Sequence, residues 1–150
     1  MNSYLNFTCG NYELLLSAEY ILEVGHIADI SRNEHSGDKP TNKKTNELHR
    51  IWRDRNLPVV NLGAYLQLSL PGSNYQLVTC DSISENESVM TILDVEKIVG
   101  LLEINEGDFI DLATPSKSLE QFADKSYIHP VSNKCLLRMS YPFSWLDTSN

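Results

Sequence analysis

Apolar residues in this chain come in short runs, each bounded by turn-formers, and none is long enough to make a helix of ordinary length. The runs recur at 4–8, 12–16, 48–52, 57–61, 75–80, 89–95, 98–102, 109–112, 126–131 and 135–141. Between them lie Gly10-Asn11, Pro71-Gly72-Ser73-Asn74, Ser84-Glu85-Asn86-Glu87-Ser88 and Ser132-Asn133-Lys134. Ten short segments at this spacing predict a mainly-β chain of the sandwich or barrel type. Tyr4–Cys9 and Tyr12–Leu16 around Gly10-Asn11 predict an N-terminal hairpin, because that turn pair tolerates positive φ. Helices are expected only at 18–23, where Ser17 is placed to cap, at 62–68 before Pro71-Gly72, and at 118–123 after Ser118. Val95-Glu96-Lys97-Ile98 breaks the apolar alternation, and a bulge or register shift is expected there.

A length of 150 residues suits one domain spanning 1–150, long enough to bury on the order of 70% of its unfolded surface. Residues 31–47 carry no aliphatic or aromatic side chain, so this stretch is expected to be a mobile polar loop. A net charge of −8 argues against a nucleic-acid partner, since phosphate neutralisation requires clustered Lys and Arg. Lys39, Lys43 and Lys44 are interleaved with Glu34, Asp38 and Glu47 and read as a solvated segment. No basic region followed by an apolar run opens the chain, and no run reaches the length of a membrane helix. Cys9, Cys80 and Cys135 have no close spacing and are expected to stay reduced. The expectation is a cytoplasmic protein without membrane insertion.

Catalytic and metal-binding patterns are missing from the sequence. His26, His35, His49 and His129 show no His-x-x-x-His or Cys-x-x-Cys spacing, so no metal site is expected. Neither nucleotide-cradling glycine motif is present, and no cofactor is expected. Asp108 and Asp111 flank Phe109-Ile110 and read as solvated acids. A Cys–His nucleophile built from Cys80 or Cys135 would have to be assembled by the fold. No catalytic residue is assigned.

The most specific segment is Arg53-Asp54-Arg55-Asn56-Leu57-Pro58-Val59-Val60-Asn61-Leu62, a charged turn leading into an apolar strand, then Gly63-Ala64-Tyr65-Leu66-Gln67-Leu68. The order of arginine, a short spacer, Pro-Val-x-x-Leu and a short helix resembles the centre of the CheW-like domain. Phe7, Gly10, Tyr12, Glu23 and Val24 fall in the family's N-terminal order. Tyr75–Cys80 and Met90–Val95, with Asp94 as the matching acid, resemble later family strands. Ser126–Ile128 and Cys135–Met139 resemble the closing hairpin. The chain departs from the family pattern where glycine is usual, with Asp54 after Arg53 and Pro130 before the last hairpin. Asn61 replaces an aspartate, and Ser140-Tyr141 stand where Leu-Asp is usual.

This resemblance implies two five-stranded, SH3-like β-barrel subdomains side by side, with a few short helices and a core between them. It implies a non-catalytic adapter in a cytoplasmic signalling array. One surface would hold the regulatory domain of a CheA-like histidine kinase, and another the helical hairpin tip of a chemoreceptor. Glu23, Val24, Arg53, Asp54 and Pro58 are the partner-facing residues it implies. The lost glycines leave open a diverged scaffold for type IV pilus motility or another pathway outside chemotaxis, since Asp54 and Pro130 are expected to reshape their loops. By alternation, Trp52 is expected inward and Arg53 outward. Leu57, Val59 and Leu62 are expected in the core, and Phe143 and Trp145 either close the core or offer an aromatic edge.

Overall fold

Short buried runs and, at Ile21–His26 and Lys97–Glu103, strict alternation of exposure mark the strands of the structure, a computed structural model that describes residues 1–27, 39–42, 47–65, 74–84, 87–112 and 123–140. The described residues form twelve strands: β1 (Asn2–Cys9), β2 (Tyr12–Ser17), β3 (Ile21–His26), β4 (Lys39–Asn42), β5 (Glu47–Trp52), β6 (Arg55–Asn61), β7 (Tyr75–Ser84), β8 (Glu87–Val95), β9 (Lys97–Ile104), β10 (Ile110–Asp111), β11 (Ala123–Ile128) and β12 (Cys135–Met139). They make two six-stranded sheets, ordered β10-β11-β12-β2-β1-β9 and β3-β7-β8-β6-β5-β4. The protein is mainly β, with two SH3-like barrel subdomains. The chain divides into two compact units, Met1–Glu19 with Ile98–Asn150, and Tyr20–Lys97. Both sheets contain a parallel junction between antiparallel partners, β12 with β2 in one and β6 with β8 in the other.

Each of the ten apolar runs overlaps a strand, and β3 and β4 are the strands the runs did not mark. The expected helix over 18–23 is corrected. Only Ala18–Tyr20 makes a 3-10 turn, and Ile21–His26 is a strand paired with β7. Ala, Leu and Glu favour a helix there only weakly, and pairing with β7 satisfies the backbone instead. Within the polar stretch 31–47, Lys39–Asn42 pairs with β5 as a short edge strand, where Pro40 is tolerated. The remainder of that stretch, 31–38 and 43–46, lies outside the described residues. The expected helix at 62–68 is a single turn over Leu62–Tyr65, with 66–68 outside the described residues. The 118–122 part of the third expected helix, and Phe143 and Trp145, also lie outside them. The broken alternation at Val95–Ile98 is a bend at Glu96, where β8 of one sheet gives way to β9 of the other.

In the first unit, Tyr4, Leu15, Ile104, Phe109 and Leu136 form the buried centre, with Leu102 and Tyr127 packed against it. These residues come from both ends of the sheet, so the sheet curls around them. Tyr4 and Phe109 meet edge to face with ring centroids 5.2 Å apart. Buried Asn6 donates through Nδ2 to the Leu14 carbonyl at 3.1 Å, which lets an amide sit in this core.

In the second unit, Leu57, Val59, Val78 and Ile92 form a buried cluster that Trp52 and Met90 flank. The expected core positions Leu57, Val59 and Leu62 are buried. A charged pair sits in the same interior. Arg50 on β5 is 4% exposed, and its Nη1 and Nη2 donate to Asp94 Oδ1 and Oδ2 on β8 at 2.8 and 2.9 Å. Nη1 also donates to Gln76 Oε1 on β7 at 2.8 Å. Desolvating two such ions costs several kcal/mol, and fork-to-fork geometry offsets that cost only while both partners are present. Replacing Arg50 with Met, or Asp94 with Leu, is therefore expected to lower unfolding free energy by about 3–5 kcal/mol. The double replacement should recover most of the loss, measured by urea denaturation.

Candidate functional site

The β5–β6 hairpin places the arginine motif. Trp52 pairs with Arg55 across it, so Arg53 and Asp54 form a two-residue turn. Their φ values are +48° and +65°. Positive φ at both central residues matches the right-handed twist of the flanking strands, and aspartate is among the few non-glycine residues that accept it. Asp54 thus adopts a glycine-like backbone in a tight turn.

Arg53 is exposed, and its guanidinium lies over the Trp52 ring, 4.7 Å from the centroid. Trp52 is half-buried, and its indole Nε1 donates to Glu23 Oε2 on β3. Strands β3 and β5 are four strand spacings apart in the sheet, about 19 Å if it were flat. This hydrogen bond therefore reports that the second sheet curls back on itself. Glu23, Trp52 and Arg53 are brought together at the closure. Val24, the next residue on β3, faces outward and is exposed. Pro58 is exposed on β6 between buried Leu57 and Val59. The indole anchors the arginine by stacking and is itself held by a carboxylate, which limits the rotamers Arg53 samples.

A second charged cluster lies on the first unit. Arg138 on β12 donates through Nε and Nη2 to both carboxylate oxygens of Asp124 on β11, each at 3.0 Å. Its Nη1 donates to Glu106 Oε1 at 2.7 Å. The guanidinium also stacks over Phe109, 4.6 Å from the ring centroid. The hydrogen bond from Arg138 holds the Glu106 carboxyl below the usual carboxylate range. Lys125 donates to Asp111 at 2.6 Å and lowers that carboxyl in the same way. Burial raises the Tyr4 hydroxyl, which donates to Glu106 Oε2 at 3.3 Å. These contacts tie β11, β12 and the segment after β9 together and present no open coordination site.

Cys9 is buried, Cys80 half-buried and Cys135 exposed. Among the described residues, no group of three or more His, Cys, Asp or Glu could hold a metal ion. Likewise among them, no helix is long and apolar enough to cross a membrane.

No family model matches the chain, and no curated protein matches it in sequence. Structure comparison finds the scaffolding protein TtCheW from Thermoanaerobacter tengcongensis, with a TM-score of 0.65 over 93% of this chain and 88% of that one. The fold is CheW-like. Sequence identity over the match is 11%, so the likeness lies in backbone path rather than in side chains.

Within this CheW-like fold, Arg50 and Gln76 are the residues that sequence reasoning missed. A signal for Arg50 was present, because positions 50 and 52 share a strand face and Trp52 was expected inward. The Asp94 carboxylate, matched by resemblance alone, turns out to be the partner of Arg50.

Two outcomes follow from these geometries. Asp54→Val should lose about 1–2 kcal/mol, because a β-branched residue resists positive φ, while Asp54→Gly should melt at or near the wild-type temperature. Lowered carboxyl pKa values stabilise the folded state above the unfolded value near 4.5, and that stability is lost as pH falls through the folded value. Wild-type melting temperature should thus fall more steeply on acidification than that of Arg138→Met, by calorimetry across that range.

Proposed function

We propose that this protein is a non-catalytic adapter that couples chemoreceptors to a CheA-like histidine kinase in a cytoplasmic signalling array. The observation that carries this reading is the CheW-like fold across 93% of the chain, shared with a protein described as a scaffold. An adapter works by holding partners in register, and its residues need shape and charge rather than a nucleophile or general base. The Arg53–Asp54 turn supports that role, since it presents an anchored guanidinium to solvent. Arginine beside tryptophan is a common composition for residues that dominate binding energy.

In this reading Glu23, Val24, Arg53, Asp54 and Pro58 belong to the partner-facing surface. Arg53 and Asp54 offer the charges that orient an incoming partner, Val24 and Pro58 offer apolar contact, and Glu23 holds Trp52 beneath Arg53. The partners are the regulatory domain of a CheA-like kinase and the helical hairpin tip of a receptor.

One observation favours a scaffold in type IV pilus motility or another pathway outside chemotaxis. Pro130 stands where glycine is usual, in the loop between β11 and β12. There the His129 Nδ1 accepts hydrogen bonds from the Val131 and Ser132 amides at 3.2 and 3.3 Å, and Val131 is 85% exposed. An apolar loop tip of this kind suits a partner set of its own.

Co-elution and calorimetric titration with a CheA-type regulatory domain and a receptor tip test the proposal. Binding to at least one is expected, and Arg53→Glu should weaken it tenfold or more, about 1.4 kcal/mol. Lack of association with both at tens of micromolar would remove the chemotaxis role and leave the fold.

A further inference from the structure

Among the described residues, strand β9 is the last strand of its sheet, next to β1. Its exposure alternates strictly from Lys97 to Glu103, so that Lys97, Val99, Leu101 and Glu103 all stand on one outward face. Val99 and Leu101 are 55% and 68% exposed. Ile98 and Leu102 point the other way, and Leu102 packs against the core of the first unit. Long edge strands with apolar outer faces are templates for pairing with another strand, and proteins ordinarily blunt them with prolines or inward charges.

On that face two apolar residues lie between opposite charges, Lys97 at one end and Glu103 at the other, so the face complements its own reversed copy. An antiparallel pairing of β9 with β9 of a second copy, centred on Gly100, sets Lys97 opposite Glu103 and Val99 opposite Leu101, twice over. Opposite charges and apolar residues face each other in every pair, which is the cross-strand pattern that stabilises antiparallel sheets. Gly100 falls on the two-fold axis. Its φ is +155°, a conformation glycine adopts readily, and a Cβ there would meet nothing within 4 Å. A register shifted by two residues puts Lys97 against Leu101 and leaves a charge unmatched, so charge matching selects one alignment.

We propose that the protein forms a two-fold symmetric dimer by antiparallel pairing of β9 with β9 of a second copy. The interface is isologous, with the same strand contributed by each subunit. This goes beyond the adapter role and does not depend on it. In each subunit Glu103 also accepts a hydrogen bond from Ser3 Oγ of the neighbouring strand, which orients its carboxylate along the outward face.

Sedimentation equilibrium of the full chain over a wide concentration range is the test. The wild type should dimerise. K97E sets glutamate against glutamate and E103K sets lysine against lysine, so each variant alone should dissociate at least tenfold more readily. An equimolar mixture of K97E and E103K should dimerise again, because the mixed pair restores opposite charges at both ends. A folding defect in either variant could not produce that recovery. A wild type that stays monomeric up to millimolar concentration overturns the proposal, as does a dimer indifferent to both charge reversals.

Discussion

A buried guanidinium in the second unit ties three strands to one geometry. Arg50 reaches from β5 to Asp94 on β8 and Gln76 on β7, and every one of these side chains is nearly inaccessible to water. Hydrophobic contacts among Leu57, Val59, Val78 and Ile92 would tolerate small slips of one strand against another, since apolar packing has little directionality. A bidentate ion pair does not, because misalignment leaves a desolvated charge without its partner. The parallel pairing of β6 with β8 places Asn61 opposite Asp94. Arg50 on β5 stands opposite Leu57, four residues along β6 from Asn61, so its side chain reaches Asp94 across the curled interior rather than along the ladder. The ion pair therefore adds a constraint that strand register alone does not supply.

The outer surface of that unit depends on this alignment. With β5 and β6 fixed, their connecting turn must span two residues, and only positive φ closes so short a hairpin without splaying the strands. Arg53 and Asp54 accept that conformation. Trp52, at the strand end, then lies between the Glu23 carboxylate and the Arg53 guanidinium. A residue read from sequence as a motif marker is in the structure a cation held on an aromatic platform, at the point where the barrel closes. The first unit closes in a comparable way through Arg138, whose carboxylate partners come from β11 and from the turn following β9.

Both units thus use an arginine bound to carboxylates on other segments, but at different depth. Arg50 is sealed in the interior, and Arg138 lies nearer the surface over Phe109. Solvent screens the second network, so it contributes modestly and responds to pH, whereas the first acts mainly on register. Neither presents a free functional group to a substrate.

Local chemistry made much of the strand framework legible before any coordinates. Ten apolar runs, the Gly10-Asn11 turn and the core positions Leu57, Val59 and Leu62 follow from period-two alternation and turn propensity, which act within a few residues. The same local rules mistook Ile21–Glu23 for helix and left Lys39–Asn42 as loop, because those strands exist only through their partners β7 and β5. Among the candidate site residues, Arg53 and Asp54 were marked by motif, while their stacking on Trp52 and link to Glu23 required β3 and β5 to meet. Long-range pairing also decided that the chain divides at the turn after β2 and the bend before β9, and that Arg50 faces inward. Sequence alone determined where strands could form; the tertiary structure decided which strands meet, since hydrogen-bond ladders and buried charges are completed by residues far apart in the chain.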